Sequence, residues 1–88
     1  MSAAAPVAPD RYLAILDRLL TAMIEQQHNK LLQLARRIVP EITPEDLRNP
    51  QDFLQLSGDP VFNYEDGILA GLRSADIAVR AELRQQED

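Results

Sequence analysis

The chain has 88 residues, with 14 Asp and Glu against 9 Lys and Arg, a net charge of −5, a single histidine and no cysteine. Disulfides and cysteine-based zinc sites are thereby excluded, and the negative charge argues against nucleic acid or an anionic membrane as a partner. A chain this short forms at most one domain with a small core, so we expect association with another chain to supply part of its stability.

The first nine residues, 1–9, are rich in Ala and Pro and are predicted to form a disordered lead to a single domain at 10–86. They contain neither the basic region nor the apolar stretch of a signal peptide. No apolar run in the sequence is long enough to cross a membrane. We therefore expect a cytoplasmic protein that does not bind membranes.

A long amphipathic helix is predicted from Asp10 to Val39. Asp10 is a suitable N-cap, no Gly or Pro follows it before Pro40, and Pro40 ends the helix. At 100° per residue, seven side chains fall on one side and are predicted to form the core of a dimer. They are Leu16, Leu20, Met23, Gln27, Leu31, Leu34 and Ile38. Gln27, the only polar member, either fixes the register of the helices or extends to the edge of the interface.

The next segment, residues 40–62, is predicted to be a long connection. Thr43-Pro44 and Asn49-Pro50 each resemble a helix start, an N-cap followed by Pro at the first helical position. One or two short helical turns are therefore expected before the turn cluster at residues 57–60. Helices of a bundle are usually joined by about 2–8 residues, and a longer connection is often functional.

The connection and the first residues after it, 40–64, are predicted to bind a partner protein. Apolar side chains at Phe53, Leu54, Val61 and Phe62 would anchor that partner within an acidic rim formed by Glu45, Asp46 and Asp52. Such a rim favours a basic partner. In the competing interpretation, the same apolar side chains fold back and cap the helical bundle.

A second long helix is predicted from Asn63, as its N-cap, to Gln86. Its apolar side contributes the rest of the predicted dimer core, namely Ile68, Leu72, Ala75, Val79 and Leu83. Gly71 and Ala78 lie beside this stripe and would permit close approach of another helix. On the opposite side, Asp76 is placed to pair with Arg73 or Arg80.

These elements indicate an all-α protein, a hairpin of two antiparallel helices that dimerises into a four-helix bundle. The predicted function is that of a non-catalytic interaction module, such as an adaptor, an assembly factor or a small accessory subunit. No catalytic, cofactor-binding or metal-binding residue is predicted.

The alternative is a small enzyme or a metal-binding bundle with its site between subunits. Such a site needs polar side chains that face inward, and only Gln27, Lys30, Glu65 and Glu82 approach the apolar sides of the helices. Glu25 and His28 have the Glu-x-x-His spacing of diiron bundles, but they lie away from the apolar side. A nucleic-acid-binding regulator is a third possibility, disfavoured by the charge.

Overall fold

The computed structural model describes residues 9–87, and these form a helical hairpin. Helix α1 spans Pro9–Ile38 and helix α3 spans Pro60–Glu87. Between them lie two 3-10 turns, Asp46–Arg48 and Pro50–Asp52, and a single turn of α-helix, α2, at Leu54–Ser57. No strand occurs among the described residues. The predicted all-α hairpin is thus confirmed, whereas the predicted lead falls outside the described part of the chain except for Pro9.

Two contacts near opposite ends of the hairpin show that α1 and α3 are antiparallel. Arg80 Nε of α3 donates to Asp17 Oδ1 near the start of α1 (2.9 Å). Lys30 Nζ, further along α1, donates to Glu65 Oε1 near the start of α3 (3.0 Å). We call the end that carries residues 39–59 the connected end, and the other the open end.

The N-cap of the second long helix lies four residues earlier than predicted. Asp59 is its N-cap, because Asp59 Oδ1 accepts a hydrogen bond from the backbone N–H of Phe62 (2.8 Å). Pro60 then occupies the first helical position, where its missing N–H costs nothing. The prediction of Asn63 as the N-cap was therefore wrong, and the Asn63 side chain donates instead to the carbonyl of Ser57 (3.0 Å).

The connection folds into three short helical turns, where one or two were predicted. Its first turn starts with reciprocal hydrogen bonds between Thr43 and Asp46. The N–H of Thr43 donates to Asp46 Oδ2 (2.9 Å), and the N–H of Asp46 donates to Thr43 Oγ1 (3.2 Å). This is the geometry of a capping box. Such local bonds give the segment a fixed shape that can pack against the helices.

The hydrophobic core lies at the connected end, where the connection folds back onto both long helices. Its buried members come from α1, the connection and α3, and they are Leu31, Ala35, Ile42, Leu47, Leu56, Phe62 and Leu69. Towards the open end, the apolar side chains of residues 11–24 and 72–86 are at best half-buried. Two helices alone leave most of their apolar side chains partly exposed, so the open end lacks a closed apolar core.

Candidate functional site

One side of the hairpin presents a continuous set of exposed or half-buried apolar side chains. On α1 they recur at every turn from residue 12 to residue 23, and on α3 they do so from residue 61 to residue 75. We define the apolar face as Tyr12, Leu16, Leu19 and Met23 of α1 together with Val61, Tyr64, Ile68, Leu72 and Ala75 of α3. Leu19 retains 56% of its accessible surface and Tyr64 retains 69%. An apolar surface that extends over two long helices is typical of an interaction site.

Two shallow grooves between the long helices show that both stripes lie on the same side. A groove of about 330 Å³ brings Met23 of α1 together with Ile68 and Leu72 of α3. The next groove, about 340 Å³, lies between Leu34 of α1 and Val61 of α3. The apolar face is therefore one surface.

The connection covers the opposite side of the hairpin. Pro44 and Leu47 of the connection line a pocket with His28 and Leu31 of α1 and Leu69 of α3. On a helical wheel, His28 lies roughly 140° from Met23. The connection thus encloses one side of the connected end and leaves the apolar face open.

The twelve residues of the predicted dimer core occupy three environments. Leu31 is fully buried inside the hairpin, so it belongs to the core of the single chain. Seven are half-buried between the long helices, namely Leu20, Gln27, Leu34, Ile38, Leu72, Val79 and Leu83. Leu16, Met23, Ile68 and Ala75 remain exposed on the apolar face. Tyr12, Leu19 and Tyr64 join them there, at the margins of the apolar arcs that the sequence indicates.

Three of the four inward polar residues meet in one cluster between the helices. Gln27 Nε2 donates to Glu65 Oε2 (2.9 Å) and to the Glu65 carbonyl (3.0 Å), and Lys30 Nζ donates to Glu65 Oε1 (3.0 Å). The hydrogen bond from Gln27, followed by that from Lys30, lowers the pKa of Glu65. Both oxygens of this buried carboxylate thus accept a hydrogen bond from α1. The cluster fixes the register of α1 against α3.

The fourth of these residues, Glu82, lies apart from the cluster. It is exposed near the open end and accepts a hydrogen bond from Gln86 Nε2 (3.2 Å). An inward-facing polar site at this position is therefore not formed within one chain.

A second polar cluster joins the helices at the open end. Arg80 Nε donates to Asp17 Oδ1 (2.9 Å) and forms an ion pair with Asp76 Oδ2 (3.1 Å), so Asp76 pairs with Arg80, one of its two predicted partners. Asp76 is 5% exposed, and its Oδ1 has no hydrogen-bond partner among the described residues. A hydrogen bond with Asp17, together with burial, raises the pKa of Asp76. Arg80 instead lowers the pKa of Asp17. Asp76 is therefore the carboxyl group of this pair that binds a proton first as the pH falls.

The Glu-x-x-His pair does not contribute to a cluster of ligands. Glu25 is exposed, and His28 is half-buried beside the connection. Within the described part of the chain, no three Asp, Glu or His side chains converge as a metal site requires.

The seven residues predicted to bind a partner do not form one surface. Phe62 is completely buried and Phe53 packs against the core, because both side chains point into the space between the connection and the long helices. Leu54 is 83% exposed and Val61 is 59% exposed. The anchor predicted at Phe62 must therefore be corrected, since its side chain fills the core.

The acidic members of that set differ among themselves. Glu45 and Asp52 are exposed. Asp46 is half-buried and bonded to Thr43. The exposed part of the predicted surface is thus Leu54 with its acidic neighbours, while Val61 belongs to the apolar face.

Comparison with known proteins found no matching family model, no matching curated protein and no matching solved structure. Among the described residues, no helix combines the length and the apolar character needed to cross a bilayer.

Proposed function

We propose that the protein is a non-catalytic interaction module that acts as a homodimer through its apolar face. The observation that carries this proposal is the exposure of one contiguous apolar side along both long helices. A surface helix normally turns its apolar stripe towards a core. On both α1 and α3, the apolar side chains of the apolar face remain exposed, because the contact between the two helices does not cover them.

A second copy is the occupant that best fits this surface. The face is formed by two antiparallel helices, and two such hairpins placed face to face form a four-helix bundle. A twofold interface brings the same surface patch of both copies together. A core shared in this way would also supply the enclosure that the open end lacks.

The arrangement of the polar residues supports a non-catalytic role. Glu65 is occupied by Gln27 and Lys30, and the Asp17–Asp76 pair is bonded to Arg80. These side chains connect the helices, so their geometry is explained by the fold. Catalysis needs an acid, a base or a nucleophile positioned towards a substrate.

A second surface is proposed at the connection, for a basic protein partner. Leu54 is the most exposed large apolar side chain of the chain's described part, and the acidic Asp52 and Glu45 lie exposed in the same connection. Negative charge around an apolar contact accelerates encounter with a basic surface and makes it dependent on salt. An adaptor or accessory subunit that dimerises through one side would keep this surface available.

Sedimentation equilibrium at micromolar concentration tests the proposal. The wild-type chain of 9.9 kDa is expected to have the mass of a dimer, and Leu19→Asp is expected to be a monomer because it places a charge in the apolar face. Ile77→Asp is the matched control, since Ile77 is also exposed (66%) but lies on the outer side of α3. A wild-type monomer that unfolds cooperatively, or equal disruption by both substitutions, would overturn the proposal.

A further inference from the structure

The pocket between the connection and the long helices has an apolar lining. We call it the connection pocket, and it has a volume of about 190 Å³. Three buried leucines line it, one each from α1, the connection and α3, namely Leu31, Leu47 and Leu69. The volume equals that of roughly six water molecules. An apolar lining that carries a few polar groups is typical of a small-molecule site.

Four charged side chains, two of each sign, also line the connection pocket. Arg48 and Glu45 come from the connection, and Arg73 and Asp66 come from α3. Within the described part of the chain, none of the four forms an ion pair. His28 of α1 adds an imidazole, which can donate or accept a hydrogen bond. The pocket thus offers donors and acceptors of both charges that remain available to a ligand.

The two charges on α3 lie at different heights of the pocket. Asp66 and Arg73 are seven residues apart, so they lie on the same side of the helix and about 10 Å apart along its axis. Since α3 begins at the connected end, Asp66 lies nearer that end and Arg73 lies nearer the open end. The pocket therefore has a negative and a positive group on α3, separated along the helix.

We propose that the connection pocket binds a small zwitterion, a free α-amino acid with an apolar side chain. The carboxylate of the ligand accepts hydrogen bonds from Arg73, its ammonium group donates to Asp66, and its side chain lies against the leucines. Arg48 and Glu45 add one further group of each sign from the connection. The inference is independent of the proposed homodimer, because the pocket lies on the side of the hairpin opposite the apolar face.

The balance of charge favours a zwitterion over other small ligands. A carboxylate without an ammonium group is attracted by the two arginines but repelled by the two acidic side chains of the same pocket. An amine without a carboxylate meets the opposite imbalance. An uncharged apolar ligand displaces water from four charged groups and replaces none of their hydrogen bonds, which is unfavourable. Only a ligand that carries both charges matches the whole set.

Titrations followed in two-dimensional amide NMR spectra test the proposal with leucine and two of its analogues. Isocaproate lacks the ammonium group of leucine, and isoamylamine lacks its carboxylate. Leucine should cause saturable shifts in residues 28–31, 44–48 and 66–73, and each analogue should bind at least roughly tenfold more weakly. The proposal is overturned if either analogue binds as tightly as leucine, or if leucine causes no saturable shift in these segments up to roughly 20 mM.

Substitutions in the pocket test which side chain holds each charge. Arg73→Gln and Asp66→Asn keep much of the shape of the side chain but remove its charge, so each should weaken leucine binding by roughly tenfold. Arg73→Gln should also weaken the binding of isocaproate, but not that of isoamylamine. Arg84→Gln is the matched control, because Arg84 is exposed on the same side of α3 but does not line the pocket. Equal weakening by Arg84→Gln, or unchanged leucine binding by both pocket variants, would refute the assignment.

Thermal unfolding provides an independent readout of the same site. A ligand in the connection pocket contacts α1, the connection and α3 together, and it therefore stabilises the folded chain relative to the unfolded one. Leucine should raise the melting temperature of the wild type and of Arg84→Gln, and it should raise that of Arg73→Gln less. An equal rise in all three proteins would show that leucine acts outside the pocket and would contradict the proposal.

Discussion

Replacement of Phe62 by Ala distinguishes a structural role of this side chain from a role in partner binding. Phe62 has no exposed surface and packs in a core to which α1, the connection and α3 all contribute. We therefore expect Phe62→Ala to destabilise the folded chain without removing any contact on its surface.

The magnitude follows from the burial of the ring. Truncation of a fully buried Phe costs about 3–5 kcal/mol, since the transfer free energy is lost and a cavity remains. A protein of this size has a total stability of only about 4–13 kcal/mol. The loss should lower the melting temperature by at least roughly 12 °C.

Urea denaturation followed by circular dichroism at 222 nm measures this effect. The protein concentration must be the same for all samples, because dimerisation couples apparent stability to concentration. Leu54→Ala is the matched control, since Leu54 lies in the same region but is 83% exposed, and it should change stability by less than about 0.5 kcal/mol. A loss below about 1 kcal/mol for Phe62→Ala, or an equal loss for Leu54→Ala, would refute the assignment of Phe62 to the core.

Three further substitutions test the cap and the two polar clusters. Asp59→Ala removes the N-cap of α3 and should cost about 0.5–2 kcal/mol in urea denaturation; an unchanged midpoint would mean that the cap contributes nothing. Glu65→Gln should make the stability of the protein less sensitive to acid. The lowered pKa of Glu65 means that its carboxylate stabilises the wild type above pH 4.5, the ordinary pKa of a glutamate. This contribution is lost as the pH falls through the lowered pKa. Parallel melting curves of both proteins from pH 7 to pH 3 would contradict that role. Asp76→Asn should raise the melting temperature at pH 7, because an amide can accept from Arg80 and donate to Asp17. The raised pKa of Asp76 means that the wild type is stabilised below the ordinary value near 3.8 and loses this contribution as the pH rises through the raised pKa. The advantage of the variant should therefore disappear in acid. A lower melting temperature of the variant at pH 7 would contradict a destabilising effect of the two neighbouring carboxylates.

The contacts between the helices differ in how much of each pairing is determined locally. Asp76 was placed within reach of Arg80 because i, i+4 neighbours meet on a helix, and this pair is present. The contact of Arg80 with Asp17, 63 residues away, and that of Gln27 with Glu65, 38 residues away, depend on how α1 and α3 align. Helical periodicity identifies the side of a helix on which a residue lies, but it does not identify the residue opposite.

The sequence by itself determined the helices. Pro40 ends α1, and the apolar side chains recur with the period of an α-helix, so both signals are local and survive in any arrangement of the hairpin. The predicted start of α3 at Asn63 was wrong, because Asp59 provides the N-cap.

Only the tertiary structure decided which apolar residues are enclosed. Leu31 and Met23 belong to the same predicted stripe, yet Leu31 is fully buried and Met23 retains 42% of its surface. The difference arises because the connection folds over one side of the connected end and leaves the other side bare. Burial depends on every chain segment that surrounds a side chain, and that arrangement is set by contacts between residues far apart in the sequence.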